Sequence, residues 1–261
     1  MKISIITPSY NQAGFLKKTI ESVISQKGDF ELEYIVMDGG STDGSVEILK
    51  NTEDKLNGNN RIKFIWKSEK DKGQSDAINK GLKIATGDIV AYLNSDDIYL
   101  NGCLQNVAQT FISSPEAKWL TGYCRIINEH DRPIQSSIMK YKNFWLNRSS
   151  LKKLLVLNYI AQPATFWRKE LLDKIGFFDE KLHYTMDYDY WLRIIKKFNL
   201  LVLKEYLAGF RIHSSSKGGA QYVKQFDQDL EVCKKYSNSK LSILLHRVHN
   251  SMIKAIYRII K

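Results

Sequence analysis

The run Asn94-Ser95-Asp96-Asp97 sets two carboxylates beside an amide and a hydroxyl. These are hard oxygen donors, a set suited to Mg²⁺ or Mn²⁺ holding a diphosphate. Such an Asp-Asp pair also has a structural use, as an N-cap for a helix after Tyr99. A second acidic pair, Asp187 and Asp189, flanks Tyr188 at the start of an amphipathic stretch whose Trp191, Ile194 and Ile195 would pack inward. A carboxylate there could cap its own helix. There is no Gly-x-Gly-x-x-Gly after the first apolar run and no Gly-x-x-x-x-Gly-Lys-Ser/Thr anywhere. Dinucleotide and P-loop sites are therefore disfavoured.

The elements that must position these groups alternate in the first hundred residues. Ile3–Thr7, Tyr34–Met37, Ile62–Trp66 and Ile89–Leu93 read as buried strands. Phe15–Ile24 and Ala77–Ala85 read as helices, and the turn-rich stretch Asp38–Gly44 can start another. Strands alternating with helices predict a mostly parallel sheet flanked by helices. Polar clusters follow each strand: Thr7–Asn11, Asp38–Asp43, Lys67–Gly73 and Asn94–Asp97. Ligands of such sheets bind beyond the carboxyl ends of the strands, so one shared edge is the expected site.

Later the rhythm changes. Trp119–Ile127, Pro133–Ile138, Ala164–Trp167, Leu200–Leu203 and Ala208–Ile212 read as strands, and Asn143–Leu157 and Tyr188–Phe198 as helices. Leu241, Leu245, Val248, Met252, Ile256 and Ile259 recur at helical steps, with Arg247, Lys254, Arg258 and Lys261 on another side. That is a basic amphipathic helix, either docked on the body or lying on an anionic membrane surface.

Composition bounds the partners. The 261 residues are 43% hydrophobic and carry a formal net charge of +11, which favours anionic ligands. No nucleic-acid-binding motif is present, so a nucleic acid is not expected. Cys103, Cys124 and Cys233 show no metal-ligand spacing and read as reduced packing residues of a cytoplasmic protein. No leader or membrane-spanning run is apparent.

Thr7-Pro8-Ser9-Tyr10-Asn11, Met37 to Gly44, Asp71 to Gly81, Ala91 to Asp97, Met186 to Arg193 and Phe210 to His213 together resemble the family 2 inverting glycosyltransferases of GT-A fold, of the bacterial surface-polysaccharide type. The resemblance covers roughly residues 1 to 215. It implies an α/β, Rossmann-like domain over 1–215, with a nucleotide-sugar half at 1–115 and an acceptor half at 116–215. Helices at 216–261 would follow, as a C-terminal extension.

The resemblance also implies roles. Thr7, Pro8, Tyr10, Asp38, Asp71 and Ser95 would serve the nucleotide, and Asp96 the metal and the donor phosphates. Asp97 and His213 would complete the metal shell, with Mn²⁺ or Mg²⁺ as cofactor. Asp187 would be the catalytic base, and Gln162 and Asp189 would lie near the acceptor or the transferred sugar. The donor would be a nucleotide-sugar, UDP-linked by resemblance, and the acceptor a glycan or lipid-linked glycan at the inner face of the cell membrane.

Two departures stand out. Asn94 replaces the first Asp of the usual Asp-x-Asp pair, and Ile78 stands where many relatives carry Arg before Asn79. A non-catalytic nucleotide-sugar-binding assembly protein and a sugar nucleotidyltransferase are the competing readings. The second would want a basic, Gly-rich loop after the first strand, which Thr7–Gly14 lacks.

Overall fold

The structure is a computed structural model in which residues 1–214 and 222–260 are described. Four parallel strands, β1 (Lys2–Ser9), β2 (Glu31–Asp38), β3 (Ile62–Ser68) and β4 (Ile89–Tyr92), form one half of the sheet in the order β3-β2-β1-β4. Their near-continuous apolar sequences fit strands covered on both faces. The register aligns Ser9 with Asp38 and Asp38 with Ser68, so these strand ends share one edge.

Helices α1 (Ala13–Ile24), α2 (Ser45–Leu56) and α3 (Gln74–Ile84) connect these strands, and α3 packs on β1 and β2. At Gly81 a Cβ would stand 2.5 Å from Ile6, so only glycine lets this helix lie so close to the sheet.

Beyond β4 the same sheet continues through β8 (Thr165–Arg168), β6 (Trp119–Ile127), β9 (Leu201–Arg211) and β5 (Ile98–Tyr99), with β7 (Pro133–Ile134) beside β6. The pairings here are antiparallel except β6 with β9. α4 (Cys103–Ser113) follows β5, and α5 (Ser136–Leu146) and α6 (Leu151–Leu154) follow β7. A 3-10 turn, Gln162–Ala164, leads into β8. α7 (Leu171–Ile175) and α8 (Met186–Ile195) precede β9. Trp191 of α8 packs against Trp119 of β6 and Trp167 of β8, with ring centroids 5.8 and 5.6 Å apart. Burying an indole of this size stabilises by about 4–6 kcal/mol before chain entropy is counted. That contact anchors the helix carrying Asp187.

Three sequence expectations change. Pro133–Ile138 is a strand only as far as Ile134, because Gln135 takes φ 53 and turns the chain into α5. The buried Met139 and Leu146 then fall seven residues apart, a helical repeat. The expected helix over 143–157 divides, since Ser150 caps α6 by accepting the Lys153 N–H. The strands expected at 200–203 and 208–212 are one, β9, whose exposed Lys204 and Glu205 sit where its register against β6 shifts.

At the C-terminal end lie α9 (Tyr222–Tyr236) and α10 (Lys240–Ile260). The side chains of Ile256, Arg258 and Ile259, and all of Lys261, fall outside the described residues.

Candidate active site

The carboxyl edge of the parallel strands gathers most of the expected groups. Leu93 continues the ladder by donating to Ile6 O, and the chain then turns through Asn94–Asp97. Thr19 of α1 pins that turn, its hydroxyl lying 2.9 Å from Ser95 O and 2.7 Å from Asp97 O. Asp96 and Asp97 then part company. Asp96 stays partly exposed, with Oδ2 3.1 Å from His213 Nε2. His213 is held by the Phe15 ring, centroids 4.4 Å apart. Asp97 is fully buried, accepting from Arg211 N at 2.8 Å and from Asn94 Nδ2 at 3.2 Å. Burial and the adjacent Asp96 carboxylate push its pKa well up, against the pull of Arg211 and Asn94. It caps no helix, because α4 starts at Cys103, after Gly102.

Among the described residues no group of three or more His, Cys, Asp or Glu side chains could hold a metal by itself. An imidazole nitrogen and a carboxylate oxygen 3.1 Å apart nevertheless form a donor pair that a divalent cation accepts. Two protein ligands fit a cation whose other positions belong to phosphates and water.

Asn94 links this turn to the start of α3 and to the 3-10 turn before β8. Its Oδ1 accepts from Gln74 Nε2 at 2.6 Å, and its Nδ2 lies 3.3 Å from Gln162 Oε1. Gln162, nearly buried, donates in turn to Tyr92 O at 2.6 Å. An amide at position 94 can serve carboxylate and carbonyl neighbours at once, whereas a carboxylate could only accept.

The residues expected to serve the nucleotide divide. Tyr10 is 61% exposed above Gly39, where a Cβ would come within 2.7 Å of Asp71 Oδ2 and 3.3 Å of the Tyr10 ring. Gly39 thus lets Tyr10 and Asp71 close on one place. Asp38 is buried and saturated by the N–H groups of Gly40 and Ser41 and the hydroxyls of Ser41 and Ser68. Thr7 lies in the core, its hydroxyl 3.1 Å from that of Tyr34, and Pro8 is buried beside Met37. Ser95 is buried too.

Asp187 and Asp189 also differ. Asp187 is half-buried in the first turn of α8, accepting the Tyr188 N–H at 2.8 Å. Burial raises its pKa, opposed by that hydrogen bond and by the Lys142 ammonium. The buried Tyr92 phenol is raised well above its usual value by burial and then by the charges of Asp187 and Asp97. Asp189 is buried, and its oxygens are taken by Arg193 Nε, Lys235 Nζ and the Tyr236 hydroxyl, each within 2.9 Å. The structure does not bring it to the open edge beside Asp187.

Sequence reasoning passed over Thr19, Arg211 and Lys142. Arg211 is fully buried across Phe15, donates through Nε to Asp96 O at 2.6 Å, and pairs with Asp131. Its place inside Phe210-Arg211-Ile212-His213 was the one available signal, whereas Thr19 and Lys142 carry none locally.

Residues 4–176 match the family model described as Glycosyl transferase family 2. A PGL/p-HBAD biosynthesis glycosyltransferase of Mycobacterium bovis is 31% identical over 195 residues, or 73% of this chain and 68% of that protein. An uncharacterised glycosyltransferase of Nostoc sp. is 28% identical over 221 residues, or 83% of this chain and 66% of that protein. The chain thus spans about two thirds of the length of these relatives. Among solved structures, S. aureus TarS 1-349 in complex with UDP-GlcNAc aligns with a TM-score of 0.65 and 20% identity, covering 93% of this chain and 69% of that one. The mannosyltransferase PcManGT from Pyrobaculum calidifontis, with GDP-Man and Mn²⁺, aligns with a TM-score of 0.71 and 16% identity, covering 94% and 68%. These two likenesses bear on the fold, which is the GT-A architecture. With well over half its length matched by the family model, the chain belongs to glycosyl transferase family 2.

Proposed function

We propose that this glycosyltransferase is inverting and metal-assisted, moving a sugar from a nucleotide diphosphate, UDP by resemblance, to a hydroxyl of a surface or lipid-linked glycan. The observation that carries this reading is the Asp96–His213 pair, 3.1 Å apart where the chain turns beyond the strand edge, with Asp187 as the base candidate. Tyr10, Gly39 and Asp71 would cradle the nucleoside, while Thr7, Pro8, Asp38 and Ser95 shape the strand ends from within. Asp96 and His213 would hold Mn²⁺ or Mg²⁺, and Asp97 would contribute by fixing β9 rather than as a ligand. Bound there, the cation would neutralise charge developing on the leaving diphosphate.

Asp187 accepts the proton of the acceptor hydroxyl as its oxygen bonds to the anomeric carbon. The bond from that carbon to the phosphate oxygen breaks, and its electron pair leaves with the nucleoside diphosphate. Attack opposite the leaving group inverts the centre. Burial makes Asp187 a stronger base than an exposed carboxylate, which suits proton abstraction. Gln162, bonded to Asn94 and to Tyr92 O, would lie near the transferred sugar.

The test is a thermal-shift panel of UDP, UDP-GlcNAc, GDP and GDP-mannose, with Mn²⁺ or with a chelator. One nucleotide should raise Tm by about 5–10 °C at hundredfold excess over Kd, and less under chelation. Asp187→Asn should keep that shift and lose turnover. No stabilisation by any nucleotide, or undiminished turnover in the variant, would overturn the reading.

The proposed site of action is an anionic membrane surface. α10 turns polar residues inward: His246 Nδ1 lies 2.8 Å from Leu155 O, and Asn250 Nδ2 donates to Phe226 O at 3.1 Å. Its apolar Leu241, Leu245, Val248 and Met252 face outward, with exposed Lys240 and Arg247 nearby. An outward apolar face with basic neighbours on a chain of net charge +11 fits an interfacial helix. Among the described residues no helix is long and apolar enough to cross a membrane. Deleting 241–261 should release the protein from anionic vesicles in a sedimentation assay. An unchanged bound fraction would count against this part.

A further inference from the structure

α9 reaches α8 from its middle and from its end. At mid-helix, Gln228 Oε1 accepts from Tyr184 N at 2.9 Å, Thr185 N at 3.2 Å and Thr185 Oγ1 at 3.0 Å. At its end, Lys235 and Tyr236 hold Asp189. Thr185 is the N-cap residue of α8, yet its side chain makes no cap bond. A threonine there ordinarily turns its hydroxyl onto the N–H of the second or third helical residue, the third being Tyr188. In this protein the hydroxyl points to Gln228, and the Tyr188 N–H is taken by Asp187 Oδ1 at 2.8 Å.

We infer that Gln228 is a positioning residue for Asp187: it draws the Thr185 hydroxyl off the end of α8, leaving the Tyr188 N–H as the anchor for the base. This rests on Asp187 being the base. Without the amide, the buried Thr185 hydroxyl loses its acceptor and has the Tyr188 N–H as a nearby alternative partner for its oxygen. Capping there would displace the Asp187 carboxylate. The loop itself has independent support from α3: Asn79 exchanges two 3.0 Å hydrogen bonds with the Phe178 backbone, and Ser75 Oγ lies 2.8 Å from Met186 Sδ. Loss of Gln228 should therefore move the base more than it unfolds the site.

Gln228→Leu should lower kcat by about 10- to 100-fold, the scale expected for a reacting group displaced by an ångström, with the donor KM little changed. The reaction followed is turnover of the nucleotide-sugar selected by the thermal-shift panel, with water as acceptor. Adding Thr185→Val to Gln228→Leu removes the competing hydroxyl and should recover kcat several-fold. Gln228→Glu, which keeps the acceptor oxygen, should retain kcat better than Gln228→Leu. It should also move the acid limb of the pH–kcat profile upward, because it adds a carboxylate to the groups facing Asp187, namely Lys142 from α5, Asp229 from α9 and Tyr92 from β4. An unchanged kcat in Gln228→Leu, no recovery on adding Thr185→Val, or a Glu variant no better than Leu would each overturn the inference. Full turnover by Asp187→Asn would instead refute the assignment of the base, and the two failures are told apart.

Discussion

Glu33 on β2 and Asp187 on α8 are both carboxylates withdrawn from water, and the protein treats them in opposite ways. Glu33 is fully buried near the amino ends of the strands, where burial alone would raise its pKa. It instead accepts from Ser4 Oγ, Thr86 N and Thr86 Oγ1 at 2.6 to 2.7 Å, with Lys2 and Lys63 within 3.4 Å, and is held down at about 2. Asp187, toward the carboxyl edge, has a backbone N–H and the charge of Lys142, and burial wins. A saturated carboxylate is a fastening and a poor base. One left short of donors keeps its affinity for a proton, and the difference lies in the partners supplied rather than in burial.

The largest effect that could break this contrast belongs to Asp187→Asn. Turnover should fall about 10²- to 10⁴-fold if the carboxylate is the base. Stability should go the other way. A folded pKa raised above 3.8 means that the stability Asp187 contributes is present below that value and lost as pH rises through the folded pKa. At pH 7 the charged group opposes folding, so the Asn variant should melt at the same temperature or higher. A clear fall in Tm would place Asp187 with Glu33 as a fastening.

Glu33→Gln is the mirror experiment. A pKa lowered from 4.5 to about 2 gives stability that is full above 4.5 and lost as pH falls through about 2. The lost carboxylate should cost about 3 kcal/mol at pH 7, read from denaturant midpoints, and should flatten the acid side of the stability profile. Turnover per folded molecule should stay at the wild-type value. A rate loss on the scale of Asp187→Asn would erase the distinction between the two ends of the sheet.

Much of this was legible in the sequence where the signal is local. Tyr34–Met37 and Ile89–Leu93 are apolar runs that only a covered strand accommodates, and polar clusters at their ends name the edge. What stayed hidden depends on distant partners. Whether Asp96 or Asp97 faces outward is decided by Arg211, whose N–H claims Asp97 across 114 positions of chain. Asn143–Leu157 has helical composition, and only the Ser150 cap shows that it restarts. The extended reading of Pro133–Ile138 failed at Gln135, a residue type with no strong demand for the left-handed backbone it adopts. The 216–261 extension was expected to be helical, but no periodicity in 222–236 reveals that Gln228 reaches the start of α8.

Lys142 offers the smallest and sharpest probe. It sits half-buried on α5, where burial lowers its own pKa against the pull of Cys124, Asp187 and Asp229. Beside the Tyr188 N–H hydrogen bond, its charge helps keep Asp187 from rising further. Lys142→Met preserves most of the aliphatic stem and removes the ammonium, so packing changes little while Asp187 and Asp229 face each other without an intervening cation. The acid limb of the pH–kcat profile should then move upward, since more of the base is protonated at a given pH, while the plateau rate above it stays close to wild type. Gln228 and Lys142 thus act on separate properties of one carboxylate, its position and its charge, and the pH profile tells them apart. A limb that stays in place would mean that Asp187 draws its compensation from solvent, as an exposed carboxylate does. The contrast with Glu33 would then rest on hydrogen bonds alone.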